Sequence, residues 1–213
     1  IRKAAAHAFN VEMVMNQILS GGKRDRGPLP EGLRKCADVA YYPYDIEKAK
    51  EMLKKSKYSA EELSKFEMEF APVAGYEAYT KIALMFASDL KKIGLNLKIV
   101  PSTWVNLCEQ ARTPETAFHF VMQTQSAKVP HPLENLLYFT EEMWGTAYPM
   151  GGMYYSNPKV TEAINRANNS LDLEEQRKYY CEAQRQIVED CPMIFSHSPL
   201  RPFPFWRYVK GYK

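Results

Sequence analysis

The chain carries few of the residue patterns that catalyse reactions. Its histidines are scattered along the sequence, at His7, His119, His131 and His197. No HExxH pattern places two histidines on one helix face for a metal ion, and no GxSxG turn presents a serine nucleophile. The glycine pairs at 21–22 and 151–152 lack the longer patterns that hold phosphate. The sequence therefore favours a binding role over an enzymatic one, with no catalytic residue, cofactor or metal ligand expected.

The cysteines and the paired carboxylates also have non-catalytic interpretations. Glu67 and Glu69 lie on one face of a predicted strand, where solvated side chains are expected in preference to an acid/base pair. The cysteines are Cys36, Cys108, Cys181 and Cys191. They allow three disulfide connectivities, which the sequence does not distinguish. Buried thiols are the interpretation that the helical and near-core patterns favour for the last three.

Composition and charge narrow the class of protein. The 213 residues are 46% hydrophobic and 25% charged, and the formal net charge is +3, which is too small to indicate a nucleic-acid partner. The basic stretch at 23–26 is interpreted as a solvated turn. No stretch approaches the roughly 20 apolar residues of a membrane span. The chain opens without an initiating methionine, and we expect it to be part of a longer protein.

Aromatic residues are frequent, with 14 Tyr, 10 Phe and 3 Trp. Tyrosine and tryptophan combine an apolar face with a polar tip. Such residues suit a ligand-lined cleft as well as a hydrophobic core.

The middle of the chain has the periodicities of an α/β unit. Residues 66–70 alternate apolar and charged, which is typical of a half-buried strand, and apolar residues then recur every three or four positions over 79–93. Gly94 ends this predicted helix, and 95–99 alternate again. Strand, helix and strand in this order predict a parallel crossover. A short helix over 104–112 and a third strand over 118–123 follow.

The flanking segments are predicted to be mostly helical. Helices are expected over 2–9, 11–19 and 46–57, the last two capped by Asn10 and Asp45. A loop at 27–32 and a short helix over 133–139 complete this part. Near the end, Asn157-Pro158 and Asp172 predict two further helix starts, and 193–196 is a predicted strand. Residues 199–206 are predicted to be an extended arm.

Several segments, taken in order, resemble the family 5 extracellular solute-binding proteins, the peptide, dipeptide and nickel receptors of ABC importers. The similar segments are IRKAAAHAFN at 1–10, GPLPEG at 27–32, YPYDIEKAK at 42–50, LKKIG at 90–94 with Trp104, YSNPKV at 155–160, DLEEQR at 172–177, EDCP at 189–192 and VKGY at 209–212. They span essentially the whole chain.

The resemblance implies an α/β fold, one lobe of a type II periplasmic-binding-protein fold with a mixed sheet flanked by helices. Residues 1–213 would be a single lobe, the C-terminal lobe of a two-lobed receptor. The receptor would close about a hinge on an oligopeptide or similar small polar solute and deliver it to the permease subunits of an ABC importer. It would lie outside the cytoplasm and reach the membrane only through the permease or a lipid anchor. The alternatives are a non-transport sensor and a chaperone-like peptide-binding module on the same fold.

Two positions depart from the pattern that the family's peptide-binding members use to hold a ligand's amino terminus. Counted back from Pro132, Lys128 stands where that pattern has an acid and Gln125 where it has an aromatic residue. A lysine repels an ammonium group in a desolvated cleft. The ligand is therefore expected to be anchored by another group, anionic or sugar-like. The alternative is that a small gap shifts the loop and that Lys128 points to solvent.

The remaining candidate ligand-binding residues lie mostly near predicted strand ends, where open α/β sheets bind ligands. They are Trp104, Gln123, Thr124, Gln125, Ser126 and His131, with Tyr154 and Tyr155 before a helix. Packing in the core is the alternative for Trp104. For the two tyrosines the alternative is packing in the core or at a hinge.

Overall fold

A computed structural model describes residues 1–19, 21–30, 32–33, 36, 39–124, 129–200 and 204–211. The helices and strands within these ranges, in chain order, are α1 (Arg2–Ala8), α2 (Val11–Met13, continued by a π-helical turn, Val14–Ile18), β1 (Lys23–Arg24), α3 (Ile46–Lys54), α4 (Ala60–Lys65), β2 (Glu67–Ala71), α5 (Glu77–Lys92), β3 (Asn96–Ile99), α6 (Trp104–Gln110), β4 (Phe120–Val121), α7 (Pro132–Leu136), α8 (Pro158–Asn169), α9 (Leu173–Asp190) and β5 (His197–Ser198). Single 3-10 turns follow α7, at Leu137–Phe139, Glu141–Met143 and Pro149–Met153.

A parallel sheet of three strands, in the order β3-β2-β4, forms the centre of the α/β unit. Phe70 of β2 is in register with Ile99 of β3 on one side and with Phe120 of β4 on the other. The predicted parallel crossover through α5 is confirmed. Gly94 ends α5 with a backbone φ of +82°, a conformation that costs glycine little. The parallel and antiparallel pairings of the predicted mixed sheet are divided between two sheets. β2, β3 and β4 pair in parallel, whereas β1 and β5 form a separate antiparallel pair.

Phe86 of α5 holds the first hydrophobic core together. Its ring is 1% exposed and packs edge-on against Phe9 of the N-terminal segment at a centroid distance of 5.1 Å and against Phe120 at 5.3 Å. It also contacts Phe70 at 6.3 Å. Truncating a buried phenylalanine of this kind costs about 3–5 kcal/mol. Through Phe86 the helical N-terminus is fixed to the sheet.

A second core lies between α8 and α9. Tyr180, Ile187 and Ile164 are almost completely buried there, together with Leu136 and Phe139 from α7 and the turn after it. The predicted caps are present: Asn157 accepts from the Lys159 amide at 3.0 Å, and Asp172 accepts from the amides of Glu174 and Glu175. The two helices therefore begin where the sequence predicts.

The end of α9 is tied to the start of α8 by a carboxylate. Asp190 accepts hydrogen bonds from the Tyr155 hydroxyl, from Asn157 Nδ2 at 2.6 Å and from Gln186 Nε2 at 2.8 Å. Partial burial opposes ionisation, but these three donors outweigh it and hold the pKa of Asp190 below its usual range. We call these four residues the Asp190 cluster.

Two predictions near the C-terminus and in the basic stretch are wrong. Residues 193–196 are not a strand, and β5 begins at His197. Its partner β1 lies in the basic stretch, where Arg24 is not solvated: its Nη2 donates to the Tyr42 carbonyl at 2.8 Å and its guanidinium lies 4.5 Å from the centre of the Tyr41 ring. Both errors have the same cause, because the pairing joins segments far apart in the sequence.

The prediction of a buried free thiol is wrong for Cys181, which forms a disulfide with Cys36 at a Cα–Cα distance of 5.3 Å. The bond links α9 to a segment 145 residues earlier in the sequence. Cys108 and Cys191 are free thiols. Burial raises the pKa of Cys191 to about 11, which keeps this thiol protonated and unreactive near neutral pH.

Candidate functional site

The carboxyl ends of β2, β3 and β4 meet at one edge of the parallel sheet. Beyond β2 and β3 the backbones stay paired, since the Ala74 amide donates to the Ser102 carbonyl at 2.8 Å. The segments that leave this edge are 72–76, 100–104 and 122–124. Open α/β sheets bind ligands at such an edge, and it is the candidate site.

Trp104 and Gln123 meet a third residue, Tyr148, at this edge. Trp104 is the first residue of α6, is 42% exposed and packs edge-on against Tyr148 at 5.7 Å between ring centres. Gln123 Nε2 donates to the Tyr148 hydroxyl. The structure therefore brings together two of the predicted residues, and Trp104 lies at the surface and not in the core.

Thr124 joins a second pair of aromatic rings to the edge. Its Oγ1 lies 2.8 Å from the hydroxyl of Tyr79, in α5. The Tyr79 ring is stacked on Tyr76 at 5.3 Å with an interplanar angle of 20°, and Tyr76 is 60% exposed. Gln123 and Thr124 are adjacent in the sequence, and each contacts one of the two aromatic groups.

Four tyrosines of this edge are not among the residues that the sequence predicts. They are Tyr76, Tyr79, Tyr138 and Tyr148, of which Tyr138 is stacked on Tyr148 at 5.6 Å. With Trp104 they form what we call the aromatic arc. The high tyrosine content is the one sequence signal for it, and composition does not say which tyrosines converge.

The Tyr148 phenol of the aromatic arc is uncharged at physiological pH. Burial is the main cause that raises the pKa of Tyr148 to about 12, and the neighbouring Tyr138 hydroxyl contributes to the rise. The Tyr148 phenol therefore stays protonated. The charged residue beside Tyr76 is Glu77, whose carboxylate is paired with Lys81 at 2.8 Å. Among the described residues of this edge, aromatic rings and hydroxyls are therefore the groups offered to a ligand, because the Gln123 Oε1 is buried and its Nε2 is bonded to Tyr148.

The other predicted site residues have different roles in the structure or lie outside it. His131 caps α7, its Nδ1 accepting from the Leu133 amide at 3.3 Å. Tyr154 adopts a left-handed backbone with φ of 46°, and its hydroxyl donates to the Ala111 carbonyl at 3.0 Å. Tyr155 is 6% exposed and belongs to the Asp190 cluster. Gln125, Ser126 and Lys128 lie outside the described residues.

Within the described ranges, no cluster of three or more His, Cys, Asp or Glu side chains could hold a metal ion. A search of the same residues finds no helix with the length and apolar character needed to cross a membrane.

Comparison with known families decides the class of this protein. The family model described as bacterial extracellular solute-binding proteins, family 5 Middle, matches residues 1–146. The chain belongs to this family. Family 5 proteins bind solutes for transport and are not classed as enzymes.

Individual family 5 proteins are similar along the whole chain. The oligopeptide-binding protein AppA of Bacillus subtilis is 24% identical over 225 residues, covering 100% of this chain and 41% of AppA. The structure of the same AppA in complex with a nonapeptide superposes with a TM-score of 0.81 at 23% identity, over 93% of this chain and 41% of that one. A dipeptide-binding protein from Pseudoalteromonas, in complex with Met-Leu, gives a TM-score of 0.75 at 26% identity, over 92% and 39%.

These matches show the type II periplasmic-binding-protein fold. The chain spans about two fifths of the length of the relatives that it matches.

Proposed function

We propose that this chain is one lobe, the C-terminal lobe, of a two-lobed receptor that captures an oligopeptide or similar small polar solute for an ABC importer. The observation that carries the proposal is the carboxyl edge of the parallel sheet, where Trp104, Gln123 and Thr124 are presented together. Membership of family 5 supports a receptor, and the two-fifths coverage is consistent with one lobe.

The mechanism is proposed from the exposure of two aromatic rings in the candidate site. Trp104 and Tyr76 are 42% and 60% exposed, so a ligand resting on this lobe alone leaves much of its surface in water. A second lobe closing over the ligand would bury the remainder and shift the population toward a closed form. The closed form is then the species that the permease subunits recognise.

An extracytoplasmic location is part of the proposal. The Cys36–Cys181 disulfide supports it, because structural disulfides persist in oxidising compartments and are rare in the cytosol. The family's description as extracellular agrees.

The ligand is proposed to be held without an acid that pairs with a free amine. Counted back from Pro132, Lys128 and Gln125 would stand in the positions where the peptide-binding members carry the acid and the aromatic residue. The hydroxyl of the exposed Thr124 offers hydrogen bonds to an uncharged or anionic group.

A thermal-shift screen of the full-length receptor tests both solute capture and the proposal that no acid pairs with a free amine. The panel consists of short peptides with free amines, the same peptides N-acetylated, neutral oligosaccharides and nickel–histidine complexes. A ligand at 100 times its Kd stabilises the folded protein by about 2.7 kcal/mol. We expect at least one class to raise the Tm, and N-acetylation to leave the effect of a peptide unchanged.

Two threonine variants locate the binding surface. Thr124→Val removes the hydroxyl at the sheet edge and is expected to reduce the ligand-induced shift, whereas Thr161→Val on α8 is expected to leave it unchanged. No shift with any class argues against solute capture. Loss of peptide binding on N-acetylation shows instead that the amine is an anchor.

A further inference from the structure

The aromatic arc has the form of a recognition surface rather than a part of the core. Core rings of this chain, such as Phe86 and Tyr180, are each 1% exposed, whereas Trp104 and Tyr76 keep much of their faces in solvent. Exposing large aromatic side chains forfeits the burial that otherwise stabilises the fold. Two such rings at the ligand-binding edge of a sheet, each packed against a half-buried tyrosine, indicate a binding function.

The arc is held in place from both ends. Tyr148 is fixed by Gln123 Nε2 and by stacking on Tyr138, and it in turn supports Trp104. At the other end Thr124 holds Tyr79, on which Tyr76 is stacked. Rings that are already ordered lose little conformational entropy when a ligand binds, which raises affinity.

The chemistry of the arc selects a shape of ligand. It offers ring faces with hydroxyl groups at their edges, and the charged residue nearest to it in the sequence, Glu77, is paired with Lys81. A group that complements these features has a flat apolar face and a rim of hydrogen-bonding atoms. We propose that the aromatic arc is a subsite for a neutral ring with a polar rim, as found in a tyrosine side chain of a peptide or in a pyranose sugar.

This inference rests on the proposed receptor function and names the part of the ligand that this lobe recognises. The test measures binding of three probes to the full-length receptor by calorimetry: Ala-Tyr-Ala, Ala-Ala-Ala and maltotriose. The first and third carry the ring from its two possible sources, and the second is a peptide without it. We expect one ring-bearing probe to bind about tenfold more tightly than Ala-Ala-Ala, the gain typical of one aromatic contact.

Variants assign that gain to the arc. Trp104→Ala and Tyr76→Ala are expected to bring the ring-bearing probe to the affinity of Ala-Ala-Ala. Trp104→Phe, which keeps a ring, is expected to retain most of the gain. Tyr58→Ala is the matched control, because Tyr58 is a 46% exposed tyrosine that lies beyond the end of α3 and outside the arc.

The outcomes separate the two proposals. Equal binding of Ala-Tyr-Ala and Ala-Ala-Ala, with maltotriose no tighter, overturns ring recognition and leaves solute capture standing. A gain that survives in both alanine variants also overturns it. Binding of none of the three probes counts against ring recognition and solute capture together.

Discussion

The Asp190 cluster gives a sharp test of how the C-terminal motifs stabilise the fold. Tyr155→Phe keeps the buried ring, which is 6% exposed and packs edge-on against Phe139, and removes only the hydroxyl that donates to Asp190. A hydrogen bond to a charged group contributes roughly 1.5–3 kcal/mol. Asp190 keeps its bonds from Asn157 and Gln186, so we expect the low end, a loss of about 1.5 kcal/mol at pH 7.

Urea unfolding followed by circular dichroism measures this loss. With a slope of about 2 kcal/mol/M, the midpoint falls by somewhat less than 1 M. Tyr58→Phe is the matched control, since a surface substitution of this kind changes stability by less than about 0.5 kcal/mol. An equal midpoint for the Tyr155 and Tyr58 variants contradicts the assignment.

The dependence on pH distinguishes a charge-assisted bond from simple packing. The cluster holds the pKa of Asp190 below the value of about 3.9 that an aspartate has in an unfolded chain. The stabilisation is therefore complete above about pH 4 and is lost as the pH falls through the lowered pKa of the folded state. The difference between wild type and Tyr155→Phe is expected to be the same at pH 7 and pH 5 and to shrink below pH 4. A difference that grows on acidification shows that the carboxylate is not the acceptor that matters.

Two further predictions concern the disulfide and a glycine with a positive φ. Replacing Cys36 and Cys181 together by serine is expected to lower the free energy of unfolding by about 2–5 kcal/mol, because the disulfide closes a long loop, and a reducing agent should then have no added effect on the midpoint. Gly145→Ala is expected to cost roughly 1–3 kcal/mol, since φ is +63° and the new Cβ lies 2.9 Å from the Arg112 carbonyl oxygen. Gly32→Ala, with open space around the new Cβ, should be neutral in the same urea unfolding assay.

The sequence predicts the elements whose signals are local. β2, α5 and β3 follow from alternation, helical periodicity and Gly94, and the caps at Asp45, Asn157 and Asp172 mark helix starts correctly. The apolar pattern of the sequence does not predict α4, although Ser59 and Glu62 form a reciprocal capping box. The helix is short and has one buried residue, Leu63. A weak apolar pattern hides even a well-formed cap.

Elements that depend on distant partners were not predictable in the same way. The β1–β5 pairing and the Cys36–Cys181 bond both join segments more than 100 residues apart, and neither end carries a signal for the other. The candidate site shows the same division. Gln123 and Thr124 follow from their place after a strand, whereas Tyr148 contacts Gln123 from a segment of turns that no periodicity links to the sheet.

The tyrosines at 148 and 155 show why residue type alone does not identify a site in this chain. Both rings are partly or fully buried, and both hydroxyls accept or donate within the protein. Their partners differ. Asp190 is the last residue of α9, which packs in the second core, whereas Gln123 lies just beyond the end of β4, at the carboxyl edge of the sheet. Tyr155 therefore stabilises the fold, and Tyr148 supports Trp104 at the surface. Removing the Tyr155 hydroxyl should lower stability with little change in ligand affinity, whereas removing the Trp104 ring should do the reverse, so the two effects can be separated in one protein.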